Sequence, residues 1–79
     1  MSEENRIYKR LYEDALRELR MHASVSADLS LEYATLAESC KIPAHAEEHK
    51  LTSGVHKRYS ERINDSIEKL DKLQEQYER

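Results

Sequence analysis

Glycine and proline are almost missing from this sequence. Gly54 and Pro43 are the only ones in 79 residues. A sheet or sandwich needs many turns, and turns draw on these two residue types, so an all-β or mixed fold is disfavoured. Tryptophan and phenylalanine are absent, and the five aromatic residues are all tyrosine. The single cysteine, Cys40, has no partner for an internal disulfide. A lone thiol suits a reducing compartment, so a cytoplasmic location is expected. No apolar run exceeds two residues, which predicts no transmembrane helix. The opening stretch, Met1-Ser2-Glu3-Glu4-Asn5, is acidic and lacks the pattern of a signal peptide.

Charge is plentiful and mixed. Thirteen basic and sixteen acidic side chains leave a net −3. Residues 1–40 hold five basic and eight acidic groups, and residues 41–79 hold eight of each. Neither half is a basic tail of the kind that binds nucleic acid through bulk electrostatics. Charged residues are 37% of the chain, above the quarter or so of a typical domain. A share that high points towards disorder, but the apolar residues are strongly periodic.

Ser2 followed by Glu3 and Glu4 reads as a helix start, a capping hydroxyl with acids in the first turn. No proline or glycine follows until Pro43. The residue before a proline is pushed out of helical geometry, while proline itself suits a first helical turn. The reading is one helical domain over 1–79, with arm one at 3–40, a turn at 41–43 and arm two at 44–78. Spacing of four and three picks out Tyr8, Tyr12, Ala15, Leu19, His22, Ser26, Leu29, Tyr33, Leu36 and Cys40 on the first arm. It picks out His45, His49, Thr52, His56, Tyr59, Ile63, Ser66, Leu70, Leu73 and Tyr77 on the second. This is the heptad rhythm of packed helices. Folded at the proline, the series meet in mirror order, with Tyr8 facing Tyr77, Tyr12 facing Leu73 and Ala15 facing Leu70.

The expected fold is therefore all-α, an antiparallel helical hairpin. Two places invite a break. Residues 21–28 are rich in serine, and Gly54 lies inside the second arm, so a third short helix is an alternative. A further apolar set, Ile7, Leu11, Leu16, Val25, Leu31, Leu51, Val55 and Ile67, widens the stripe beyond what two helices can bury. A chain this short also makes a marginal core by itself. Both points predict a homodimer closing into a four-helix bundle. The residues expected at the partner or oligomer interface are Tyr8, Leu11, Tyr12, Leu19, Leu29, Tyr33, Leu36, Tyr59, Ile63, Leu70 and Leu73.

Chemistry is sparse. Cys40, His45 and His49 form the one constellation with metal-ligand character, a thiolate and two imidazoles suited to zinc. His45-Ala46-Glu47-Glu48-His49 matches the H-x-x-E-H pattern of inverted zincins. Such a short pattern arises by chance in Glu-rich helices, and a peptidase needs a third distal ligand and a large cleft. The plainer reading makes these three residues polar members of the seam, without cofactor. All four histidines fall on the seam series, which allows a response to pH. Arg6, Lys9, Arg10, Arg17 and Arg20, with Lys57, Arg58 and Arg62, make two basic patches interleaved with acids. The function that fits is a non-enzymatic protein-interaction module: an adaptor, assembly factor or inhibitor of a larger protein. Viral and mobile-element accessory proteins are often of this kind. The alternatives are a nucleic-acid-associated helical dimer, and a metal- or pH-responsive helical protein using Cys40, His45 and His49.

Overall fold

The computed structural model describes residues 2–78, with side chains through residue 76. Two helices account for nearly all of them: α1, Glu3–Ser39, and α2, Pro43–Glu78. Among the described residues there is no strand.

Ser2 caps α1 as its position suggests. Its backbone is extended (φ −70°, ψ 155°), and its hydroxyl accepts a hydrogen bond from the Asn5 backbone N–H at 3.2 Å. Glu3 and Glu4 occupy the positive end of the helix dipole. The helix runs unbroken through the serine-rich stretch 21–28. Cys40 returns to extended backbone (φ −78°, ψ 127°), and Cys40-Lys41-Ile42 make the connector. Pro43 is the first residue of α2, where its missing N–H costs no hydrogen bond. The Ile42 carbonyl accepts the first bond of that helix, from the Ala46 N–H at 3.0 Å.

Gly54 does not interrupt α2. Its φ is not positive, and an added Cβ would approach nothing closer than an Arg58 guanidinium nitrogen at 3.7 Å. Nothing local demands a glycine there. Among the described residues no third helix is formed.

The helices lie antiparallel in a rod measuring 61 × 18 × 12 Å. The seam keeps a heptad rhythm but runs along a line different from the one expected. On α1 the buried or half-buried series is Tyr12, Leu16, Leu19, Ala23, Ser26, Ser30, Tyr33, Ala37 and Cys40. On α2 it is Ala46, His49, Ser53, His56, Ser60, Ile63, Ile67, Leu70 and Gln74. One column of each arm, including Tyr12, Leu19, Tyr33, Ile63 and Leu70, agrees with the expected seam. The other column lies one residue later. Leu16 replaces Ala15, Ala23 replaces His22, Ser30 replaces Leu29 and Ala37 replaces Leu36; on α2, Ser53, Ser60 and Ile67 replace Thr52, Tyr59 and Ser66. Tyr77, expected opposite Tyr8, lies outside the described side chains.

The physical reason is distance between backbones. The corrected column is small over most of its length, so the helices approach closely enough for hydroxyls to reach across. Ser60 Oγ donates to the Ala23 carbonyl at 2.9 Å. Ser30 Oγ donates to the Ser53 carbonyl at 2.9 Å, and Ser53 Oγ to the Ser30 carbonyl at 2.7 Å. Tyr8, Leu36, Tyr59 and Leu73 are too bulky for such a gap and stay outside it. These bonds also set the register. Tyr12 donates its hydroxyl to the Leu70 carbonyl, so the pairing is displaced by about three residues from the expected Tyr12–Leu73, and by two for Ser30 and Ser53.

Leu16, Ala23, Ile63 and Ile67 form the core cluster, with Tyr12, Leu19 and Leu70 packed against it. All the larger members of this cluster lie away from the turn. Towards the turn the seam is built from Ser26, Ser30, Ala37, Ala46 and Ser53 with Tyr33 and two histidines.

Candidate interaction surface

A rod of two helices has two broad faces, one on each side of the seam. On one face Arg20 reaches across to Asp71, with 3.4 Å between guanidinium and carboxylate. The column beside the seam here reads Glu13, Arg20, Ala27 and Ala34 on α1, and Lys50, Lys57, Asn64 and Asp71 on α2. An open depression of about 310 Å³ lies on it, lined by Glu13, Leu16, Arg17, Arg20, Asp71 and Gln74. Arg17 is drawn to Asp14 at 3.2 Å. Opposed charges one helical turn apart, widely exposed, make this a solvated face.

The other face is marked by Tyr33. Its ring lies between His49 and His56, with centroids at 5.9 and 5.7 Å, and stacks within 10° of the His56 plane. Residues four before and three after each of these rings flank them on the outside. That outer column reads Tyr8, Ala15, His22, Leu29 and Leu36 on α1, and His45, Thr52, Tyr59, Ser66 and Leu73 on α2. None of these ten residues is Asp, Glu, Lys or Arg. Tyr8 is 64% exposed, Tyr59 53%, Leu73 50% and Leu36 47%. Leu11, Val25 and Val55 sit beyond them, also more than half exposed.

The expected interface residues thus divide. Tyr12, Leu19, Tyr33, Ile63 and Leu70 are buried or half-buried within the hairpin, Leu29 is half-buried at its edge, and Tyr8, Leu11, Leu36, Tyr59 and Leu73 are open on one face. Sequence periodicity singled out both groups but set Tyr8, Leu36, Tyr59 and Leu73 in the seam and Leu11 beside it. Scattered exposed apolar residues are ordinary; a contiguous uncharged column running the length of a rod is not.

No family model, curated protein or solved structure matches the chain. The local geometry is therefore what speaks to function.

The histidine and cysteine candidates separate. Among the described residues, no three of His, Cys, Asp and Glu converge as a metal would require. Cys40 Sγ turns to the Ile42 carbonyl at 3.5 Å, His49 packs on Tyr33, and His45 is exposed on the apolar face. His22 lies 3.9 Å from Glu18 at the margin of that face. Tyr12 lies against α2, its hydroxyl bonded to the Leu70 carbonyl. Burial raises its phenol above the ordinary range, and the negative charge of Asp71 adds to the rise. No helix among the described residues is long and apolar enough to cross a membrane.

Proposed function

We propose that this chain is a non-enzymatic protein-interaction module, a rigid helical rod that works by covering its apolar face with another protein. The observation that carries this reading is the absence of Asp, Glu, Lys and Arg from all ten positions flanking the seam on that face. On the opposite face such residues are frequent. Depletion of charge with retention of tyrosine and leucine is the compositional signature of an interface core. The reading needs no cofactor, and the lone cysteine suits the cytoplasm.

Short connection and long arms support the mechanical part. A three-residue connector leaves the helices little freedom to separate at the turn, and the serine bonds oppose sliding. A partner would meet a preorganised surface and lose little conformational entropy on docking.

The test is a comparison of bound proteins. Tagged wild type and a Leu36→Glu, Tyr59→Glu variant are used to capture partners from the source organism, with helicity checked by circular dichroism. The expected result is a protein, an untagged copy of this chain or a different one, held by the wild type and lost by the equally helical variant. An unchanged set would refute the reading.

A further inference from the structure

We infer that a second copy of this chain covers the apolar face, in a two-fold dimer whose two turns lie at the same end. This rests on the interaction-module reading and names the occupant of the same surface.

Three observations carry it. The first is the poverty of the hairpin's own core. Leu16, Ala23, Ala37, Ile63 and Ile67 are its buried apolar residues, and no large side chain among those described is fully enclosed. Chains of this size without disulfide or metal commonly complete their core by association. The second is area. A rod 61 Å long and 18 Å wide offers a face larger than the roughly 800 Å² per partner of a stable interface. The third is charge at the margins, which selects the arrangement. Beyond the uncharged column, the α1 margin carries Glu4, Glu18 and Glu32 and no base. The α2 margin carries Arg62 and Lys69 against one acid, Glu48.

Two hairpins can meet face to face with turns together or with turns at opposite ends. Turns at opposite ends set α1 on the partner's α1, acidic margin against acidic margin. Turns together set α1 on the α2 of the second copy, where Glu18 meets Arg62 and Lys69 and only Glu32 comes level with an acid, Glu48. The observed pairings mirror about the Lys41–Ile42 connector, as Ser30 with Ser53 and Ala23 with Ser60 show. By that mirror Glu18 stands level with residue 65, between Arg62 and Lys69. Every neighbouring pair of helices in this bundle is antiparallel.

Cys40, the only cysteine, sits at the turn and reports on the arrangement directly. Light scattering of the full chain should give twice 9.3 kDa at micromolar concentration. Spin labels on Cys40, measured by double electron–electron resonance, should lie within about 25 Å across a bundle two helices thick. A second label site, Cys40→Ser with Lys41→Cys, guards against disturbance of the half-buried thiol and should give the same range. Leu36→Lys with Tyr59→Lys should yield helical monomers. A dimer with labels separated by nearly the 61 Å rod length would overturn the arrangement. A dimer that survives the two lysines would overturn the choice of face. A folded monomer at hundreds of micromolar would overturn the dimer. In that last case an apolar dye separates the two ideas. Strong dye binding, abolished by the two lysines, leaves the face open for a different protein, whereas a dye-silent monomer sinks the interaction reading as well.

Discussion

Ser30 and Ser53 each donate a hydroxyl hydrogen bond to the other's backbone carbonyl, at 2.9 and 2.7 Å. Their own oxygens stand 3.2 Å apart. Residues 23 positions apart in the chain are thereby held in one register, with the two backbones close together.

Replacing either serine by alanine should cost about 1 kcal/mol, the usual net worth of one such bond. Ser30→Leu should cost more, about 1–3 kcal/mol, because the gap that excludes large side chains would have to widen. Urea denaturation at fixed protein concentration measures both. A leucine variant as stable as wild type would show that the backbones are not closely apposed.

Gly54→Ala should stabilise the protein by up to about 1 kcal/mol, the difference in helix propensity. The position is helical, and the added methyl meets only the flexible end of Arg58 at 3.7 Å. A lowered melting temperature would mean that Gly54 is close to something the hairpin does not contain.

Ile63→Ala should cost about 2–4 kcal/mol, because Ile63 is 8% exposed and belongs to the core cluster. Leu31→Ala is the matching control: Leu31 is 69% exposed, and its loss should move stability by less than about 0.5 kcal/mol. Equal effects at the two positions would reverse the assignment of inside and outside.

Tyr12 predicts the alkaline behaviour. Its phenol is raised above the ordinary range, so the folded chain holds this proton more tightly than the unfolded chain does. The resulting stabilisation is complete below the unfolded pKa of about 10 and fades as pH climbs through the higher folded value. Tyr12→Phe should lower the urea midpoint at neutral pH by removing the bond to the Leu70 carbonyl. It should also flatten the alkaline decline. A decline of undiminished slope would rule out Tyr12 as its source.

The helices and their turn are plain in the sequence, because Pro43 stands alone after forty-two residues free of breakers. The seam is only half legible. One column on each arm, including Tyr12, Leu19, Ile63 and Leu70, belongs to any apolar stripe that could be drawn. Which neighbouring column joins it depends on how closely the backbones approach, and hydrophobicity misleads there. Leu29 and Leu36 outrank Ser30 and Ala37 as apolar residues, yet the smaller pair lies in the gap. The aligned small residues Ala23, Ser30 and Ala37, against Ala46, Ser53 and Ser60, were the available signal. The apolar face was hidden inside the expected seam, which took in Tyr8, Leu29, Leu36, Tyr59 and Leu73; only Leu11, Val25 and Val55 at its margin stood in the second apolar set.

The placement of the large core residues bears on how the chain reaches this shape. Leu16 and Ile67 are far apart in the sequence, while the contacts next to the turn are made by alanine and serine. Closing a longer loop costs more entropy, by about 0.6 kcal/mol for each doubling of its length. A zipper starting at the turn must therefore advance through its weakest teeth before reaching its strongest. Acquisition of the hairpin should be slow for a helical protein, with the rate set by Leu16 and its neighbours finding α2 rather than by the formation of either helix.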